Sequence, residues 1–286
     1  MRITGKTKIL GIIGHPVAHS LSPVMHNAAI EALGLEYVYV PFQVAPDHLT
    51  TAIHGLRSLG VRGFNVTIPH KSAIMPLLDR ISPEAELCGA VNSVKLENDL
   101  LVGYNTDGAG LLKSLRDDLG FDPAGAIVLV LGAGGAARGA LASLCSAGAS
   151  RIIVANRTRE RGKALVETFR DRFGDVSFHL SSLEKGSLEE NLKDADLLLN
   201  TTSVGMNGSS FEGLNLATMG NRAMVYDMVY APPETPLLAD ARRNRLACAN
   251  GIGMLAAQGE SAFSIWTGVE PPQGLMKERL LAEIVT

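Results

Sequence analysis

Short apolar, β-branched runs alternate with amphipathic stretches of helical period along almost the whole chain, a pattern that predicts an α/β protein with parallel sheets covered by helices. In the first third, Lys8 to Ile13 reads as a strand. Ser22-Pro23 offers an N-cap followed by a proline at the first helical position, and Met25, Ala28, Ala29, Ala32 and Leu33 line one face of a helix that stops at Gly34. A strand at Tyr37 to Val44 follows, then a helix from His48 to Leu59 ended by Gly60, then a strand through Phe64-Asn65-Val66-Thr67. A further helix is expected after Pro69, and two short strands flank an Asn98-Asp99 turn.

Gly108 to Leu119 has the pattern of a connecting helix. Beyond it, the apolar run Ala126 to Leu131 feeds Gly132-Ala133-Gly134-Gly135-Ala136-Ala137, and strands are expected at Arg151 to Ala155, Val176 to His179, Asp196 to Asn200, Ala223 to Met228 and Leu246 to Ala249. Helices fall between most of them, the order of a doubly wound, Rossmann-type nucleotide-binding sheet. Two more helices, Met254 to Trp266 and Leu275 to Ile284, come after that sheet is complete. The chain therefore divides into an amino-terminal α/β domain, residues 1–107, and a nucleotide-binding domain, residues 108–251.

Composition narrows the classes. A length of 286 residues suits two domains, and 46% apolar against 19% charged residues is a globular composition. A net charge of -3 leaves no cationic excess for neutralising phosphates, so no nucleic-acid partner is expected. The apolar runs are far shorter than the ~20 residues of a membrane-crossing helix, so no membrane partner is expected either. Ile9 to Ile13 is too short for a signal-peptide core and runs into Gly14-His15-Pro16; with three isolated cysteines, Cys88, Cys145 and Cys248, this predicts a cytoplasmic protein without disulfides. Seven scattered histidines show no metal-ligand spacing, and no metal site is expected.

The GxGxxA run at Gly132 to Ala137 lies between a strand and a helix, where small residues permit a tight turn and close approach of backbone to a pyrophosphate, and free N–H groups at the helix start favour the anion. A glycine-rich packing turn is the plainer alternative. The next strand ends in Asn156-Arg157-Thr158, where an NAD site usually carries an acid for the ribose hydroxyls. A carboxylate there would repel a 2'-phosphate, whereas Arg157, Thr158 and Arg161 supply cationic and hydroxyl donors, so NADP is the cofactor expected.

Oxidising a secondary alcohol requires a group that exchanges the hydroxyl proton, and neither a tyrosine-lysine helical pair nor a zinc set is evident. Lys71, in Asn65-Val66-Thr67-Ile68-Pro69-His70-Lys71, is the candidate. Positive potential at a helix start and partial burial would ease loss of its proton. An ordinary surface lysine is the competing reading. Asp107, in Asn105-Thr106-Asp107-Gly108, is the second candidate, as N-cap of the following helix, as a carboxylate orienting Lys71, or as both at once.

Taken together, Ser20-Leu21-Ser22-Pro23, the Asn65 to Lys71 run, Gly89-Ala90-Val91-Asn92, Asn105 to Gly108, Gly132 to Ala137, Asn156-Arg157-Thr158, Asn200-Thr201-Thr202-Ser203, Tyr226-Asp227-Met228-Val229-Tyr230 and Gly251 to Gln258 resemble, in order and from end to end, the shikimate dehydrogenase family. The resemblance implies reversible NADP-dependent reduction of 3-dehydroshikimate to shikimate, in aromatic amino-acid biosynthesis, with Lys71 and Asp107 as the catalytic pair. It implies that Ser20 and Ser22 hold the substrate carboxylate and that Thr67, Asn92, Tyr230 and Gln258 contact the carboxylate or ring hydroxyls. Gly132, Ala133, Gly134, Gly135, Ala136, Asn156, Arg157, Thr158, Arg161, Met228 and Gly251 would line the NADP site, the carboxy-terminal helices (252–286) would return to the first domain, and substrate and nicotinamide would meet between the domains.

Each substrate residue has a plainer role: Ser22 as an N-cap, Asn92 in a turn, Gln258 on a helix surface. An NAD-linked quinate or shikimate dehydrogenase is the alternative activity; relatives active on quinate commonly carry threonine at the Ser22 position and an acid after the second strand, and this chain has neither. A non-catalytic NADP-sensing regulator would be expected to lack the Lys71 and Asp107 pair. The oligomeric state, a homodimer included, stays open.

Overall fold

The computed structural model describes residues 3–183 and 185–284. The chain falls into two units, one made of 1–110 and 255–286, the other of 111–254. The first opens with β1 (Lys8–Gly14), α1 (Ser22–Ala32), β2 (Tyr37–Gln43), α2 (Leu49–Ser58) and β3 (Gly63–Val66). After a two-residue β4 (Arg80–Ile81) come α3 (Pro83–Cys88) and the hairpin of β5 (Ser93–Glu97) and β6 (Leu100–Tyr104). The Asn98-Asp99 turn has φ of 49° and 64°, the left-handed conformation that tight hairpins require and that Asn and Asp tolerate.

This sheet runs β2-β1-β3-β5-β6-β4 and is mixed rather than parallel. β1 lies parallel to β2 and β3, whereas β5 is antiparallel to both β3 and β6. The parallel pairing expected from the pattern holds for β1, β2 and β3, while the two strands expected around the Asn98-Asp99 turn form an antiparallel hairpin, since a two-residue connection can join antiparallel neighbours only. The core on one face gathers Ile13, Ile53, Phe64, Val66, Ile74, Val91, Val94 and Leu101.

Two local expectations also give way. No helix follows Pro69; the chain turns through 69–74 and makes one 3₁₀ turn at Met75–Leu77, because Pro76 lacks an N–H and biases Met75 away from helix. Ser22 is not the N-cap of α1. Leu21 takes that position, Ser22 is the first helical residue, and its amide donates to the Ser20 hydroxyl at 3.3 Å.

α4 (Asp107–Leu119) leads into the second unit, which contains β7 (Ile127–Leu131), α5 (Gly135–Ser146), β8 (Arg151–Ala155), α6 (Arg159–Arg170), β9 (Ser177–Ser181) and α7 (Lys185–Asp194). β10 (Leu197–Asn200), β11 (Met224–Asp227), α8 (Pro236–Arg243) and β12 (Ala247–Asn250) complete it. All its strands are parallel in the order β12-β11-β10-β7-β8-β9. That is the doubly wound order, with its switch point between β7 and β10. Burial on both faces explains why β7 and β10 read as unbroken apolar runs: Val128 to Leu131 and Leu197 to Leu199 are all 0% exposed.

α9 (Ile252–Thr267) and α10 (Leu275–Ile284) follow β12, and from residue 255 they belong to the first unit, where α10 packs on α1. The lone tryptophan, Trp266, lies over Gly63 of β3 so closely that a Cβ there would come within 2.3 Å of the ring. Its indole N–H donates to the Val94 carbonyl at 3.0 Å.

Candidate active site

Strand direction decides which residues of the first unit share an edge. β1, β3 and β6 end on the edge where the antiparallel β5 begins, and the register pairs Ile13 with Val66, Asn65 with Ser93, and Ser93 with Tyr104. Ser20 and Ser22 follow β1, Thr67 and Lys71 follow β3, Asn92 precedes β5, and Asp107 follows β6. Six positions far apart in sequence therefore leave the sheet on one side.

Lys71 and Asp107 meet there. The Lys71 ammonium donates to Asp107 Oδ2 at 2.5 Å, and both side chains keep some solvent access, 32% and 23%. α4 begins at Asp107 itself, where the helix dipole favours a carboxylate, so Asp107 is the first helical residue and not the N-cap. Its Oδ1 accepts from Asn92 Nδ2 at 2.8 Å. The helix that was to poise Lys71 is absent. Its backbone is held by the turn itself: the Lys71 carbonyl accepts from Val91 N–H at 2.8 Å, and neighbouring His70 anchors the turn through a 2.7 Å contact between Nε2 and the Val44 carbonyl.

Asn92, 2% exposed, links several of these groups. Its Oδ1 accepts from the Thr106 amide at 2.8 Å, while Nδ2 faces Thr106 Oγ1 at 3.0 Å and Gln258 Oε1 at 3.5 Å. Gln258 is 8% exposed, not a surface residue of its helix, and its Nε2 donates to the Leu255 carbonyl. Thr67 stands against Gly14, where a Cβ would lie 2.4 Å from its methyl group, so β1 must end in glycine for Thr67 to occupy that place.

Behind this edge lies a buried polar chain that sequence reasoning assigned no role. Tyr39 Oη donates to Asn65 Oδ1 at 2.6 Å, and Asn65 Nδ2 donates to the Asn92 carbonyl at 3.1 Å. Burial pushes the Tyr39 phenol well above its usual range, with the Ser22 hydroxyl beside it offsetting a little of the effect. An apolar-patterned strand gives no signal of a buried tyrosine hydroxyl. Asn65, polar in the middle of the Phe64 to Val66 strand, was the available clue.

The second unit carries the other candidates on the carboxyl edge of its parallel sheet, after β7, β8, β11 and β12. Gly132 has φ 113°, and a Cβ on it would stand 2.6 Å from Thr201 Oγ1 and 2.8 Å from Thr202 Cγ2, so only glycine fits. Ala133 and Gly134 lead to α5, whose first residues Gly135 and Ala136 are exposed, with no side-chain cap bonding its N–H groups. That leaves the donors and the dipole free for an anion. Asn156 Nδ2 donates to the Thr158 carbonyl at 2.7 Å and shapes the turn. Arg157, Thr158 and Arg161 are exposed, and among the described residues neither arginine has a carboxylate partner. Gly251 sits against Met228, where a Cβ would come within 2.2 Å of the carbonyl oxygen. A glycine cradle, an uncapped helix start, arginines without a carboxylate partner and Asn156 in place of an acid directly after β8 fit a dinucleotide carrying a 2'-phosphate. Tyr230 follows β11 in this same unit, half-buried, and burial raises its phenol.

Asp227 fixes the loops at this edge. Fully buried, it accepts from Asn200 Nδ2 at 2.8 Å, Val229 N–H at 3.0 Å and Thr235 Oγ1 at 2.6 Å, and burial raises its carboxyl above the usual range. Among the described residues no helix is long and apolar enough to cross a membrane, and no group of three or more His, Cys, Asp or Glu could hold a metal ion.

Known proteins share this arrangement. Residues 12–94 match the shikimate dehydrogenase substrate-binding domain, 116–209 the shikimate/quinate 5-dehydrogenase domain, and 251–281 the shikimate 5'-dehydrogenase C-terminal domain. The shikimate dehydrogenase (NADP(+)) of Geobacter metallireducens is 61% identical over 284 residues, 99% of each chain. The chain belongs to the shikimate dehydrogenase family. A member from Methanothermobacter thermautotrophicus is 45% identical over 97% of both chains. Among solved structures, the shikimate 5-dehydrogenase of Listeria monocytogenes, in complex with shikimate and NAD, is 37% identical with a TM-score of 0.91 over 98% of each chain. The family's fold extends to a quinate dehydrogenase from Corynebacterium glutamicum in complex with NAD, 29% identical with a TM-score of 0.88, covering 96% of this chain and 99% of that one.

Proposed function

We propose that this chain is an oxidoreductase that reduces 3-dehydroshikimate to shikimate, reversibly, with NADP(H). The observation that carries the reading is the 2.5 Å ion pair between Lys71 and Asp107, on the edge where Ser20, Ser22, Thr67 and Asn92 also leave the sheet. NADP(H), when bound, supplies or accepts the hydride. In the reducing direction the Lys71 ammonium gives a proton to the carbonyl oxygen; in the oxidising direction the amine takes it from the hydroxyl. Asp107 holds the ammonium in place and offers a second acceptor to the reacting hydroxyl, while Asn92 fixes the carboxylate by donating from Nδ2 to Asp107 Oδ1.

Ser20 and Ser22 supply hydroxyls to the substrate carboxylate, and Thr67, Asn92, Gln258 and Tyr230 pair with the carboxylate or the ring hydroxyls. A site built of such donors and acceptors rejects analogues lacking a hydroxyl, because its own polar groups would be left unpaired. Gly132 to Ala136 hold the pyrophosphate, Asn156, Arg157, Thr158 and Arg161 the 2'-phosphate, and Met228 and Gly251 the nicotinamide end.

The test is nicotinamide absorbance with purified protein, shikimate or quinate, and NADP or NAD. Shikimate with NADP is expected to give the highest kcat/KM; absence of turnover with that pair would refute the assignment, and preference for quinate with NAD would replace it. Lys71→Ala is expected to lower kcat about 10²- to 10⁴-fold with a smaller effect on shikimate affinity. Unchanged turnover would remove Lys71 from the chemistry.

A further inference from the structure

We infer that Tyr39, a buried tyrosine in the second strand of the sheet, is a positioning residue whose hydroxyl sets the shikimate site through Asn65 and Asn92. The inference rests on the function proposed above. Its basis is a chain of directed hydrogen bonds: Tyr39 Oη donates to Asn65 Oδ1 at 2.6 Å, Asn65 Nδ2 donates to the Asn92 carbonyl at 3.1 Å, and Asn92 Nδ2 donates to Asp107 Oδ1 at 2.8 Å. Polarity fixes the order. Asn65 must turn its amide nitrogen to a carbonyl, which has no hydrogen, so its oxygen faces the tyrosine, which must then be the donor.

Tyr39 is 1% exposed and its place is heavily determined. Asn27 clamps its backbone from both sides, accepting from the Tyr39 amide and donating to the Tyr39 carbonyl, each at 2.9 Å. The His26 ring stacks on it at 4.4 Å with planes 17° apart, and Trp266 lies 6.0 Å away. An apolar ring would pack equally well in this aromatic cluster. The hydroxyl is the part with a task, and its neighbours are Asn65 and Ser22, the latter one of the two serines proposed to hold the substrate carboxylate. Without it, a buried amide oxygen loses its donor, Asn65 is free to rotate, and the Asn92 carbonyl loses one of the two donors it has, the other being Val66 N–H at 2.9 Å.

The test is Tyr39→Phe, which deletes one oxygen, assayed with shikimate and NADP beside wild type. Loss of one buried hydrogen bond that orders binding groups predicts a KM for shikimate raised about tenfold, with KM for NADP unchanged and kcat within about threefold. A purely structural hydroxyl would lower the melting temperature or the active fraction and leave the shikimate KM where it was. A shikimate KM within twofold of wild type, or a variant that fails to fold, overturns the inference while leaving the proposed function intact. A wild-type protein inactive on shikimate overturns both.

Discussion

His26 should make the first unit acid-sensitive in a calculable way. The ring is fully buried against Tyr39, Phe263 and Trp266, and among the described residues neither of its nitrogens has a hydrogen-bond partner. Burial drives its pKa down from 6.5 to about 3; the Asn65 amide nearby offsets a little of this without reaching bonding geometry. The folded value lies below the unfolded one, so the unfolded chain takes up this proton first as pH falls. The stability at stake is present above 6.5 and is lost progressively down to about 3. One pH unit below the free-imidazole value the loss is about 1.4 kcal/mol, and two units below it about 2.7 kcal/mol. His26→Leu, similar in volume, removes the term. Urea unfolding followed by the fluorescence of Trp266, the sole tryptophan and part of the same unit, should show wild type losing about 1.4 kcal/mol more than the variant between pH 7.5 and 5.5. Groups common to both proteins cancel in that difference. Parallel pH profiles would mean that the buried imidazole finds a proton partner, and the reasoning would fail.

Two further outcomes follow from the second unit. Asn156→Asp places a carboxylate beside Arg157 and Arg161 where the 2'-phosphate is proposed to sit, and should raise KM for NADP about tenfold or more while KM for NAD changes little, read by steady-state kinetics with both cofactors. Asp227→Ala leaves Asn200 Nδ2, Val229 N–H and Thr235 Oγ1 without their acceptor and should cost about 3 kcal/mol or more in urea unfolding, whereas Asp227→Asn keeps an acceptor and should cost about 1 kcal/mol; equal losses would show that the network is not what stabilises these loops.

Much of the architecture was legible because period and punctuation agreed. β8 and α10 fall at the expected residues, and other strands and helices shift by one to three, since strands buried on both faces and glycine-terminated helices leave strong local signals. The errors have local causes. The α-helix expected after Pro69 is replaced by a turn and the 3₁₀ turn at Met75–Leu77, while α3, a Ser-Pro-started helix with Ser82 Oγ accepting from Ala85 N–H at 3.3 Å, is only six residues long and leaves little periodic signal. At the site, motif residues could be named in order along the chain and Lys71 set beside Asp107, yet the second partner of Asp107, the Asn92 amide 15 residues away, could not be named. Nothing in the apolar pattern of β2 marks the Tyr39 hydroxyl.

Strand direction in the first sheet bears on the proposed chemistry. Were the first sheet wholly parallel, β5 would begin on the opposite edge from the ends of β1 and β3, and Asn92, the residue before it, would be carried a strand's length from Lys71. The antiparallel hairpin reverses this. β5 starts where β3 ends, with Asn65 opposite Ser93, and β6 returns to the same edge, with Tyr104 opposite Ser93, so that Asp107 emerges three residues later. The five residues of β5 descend from Ser93 to Glu97, and the five of β6 climb back, a register held by five paired positions. A one-residue slip would turn every side chain of β6 to the other face and draw the start of α4 away from the Lys71 amine. The proposed acid-base pair therefore depends on hairpin register as much as on the two residues themselves, and the Asn98-Asp99 turn, at the far end of the two strands, is what sets it.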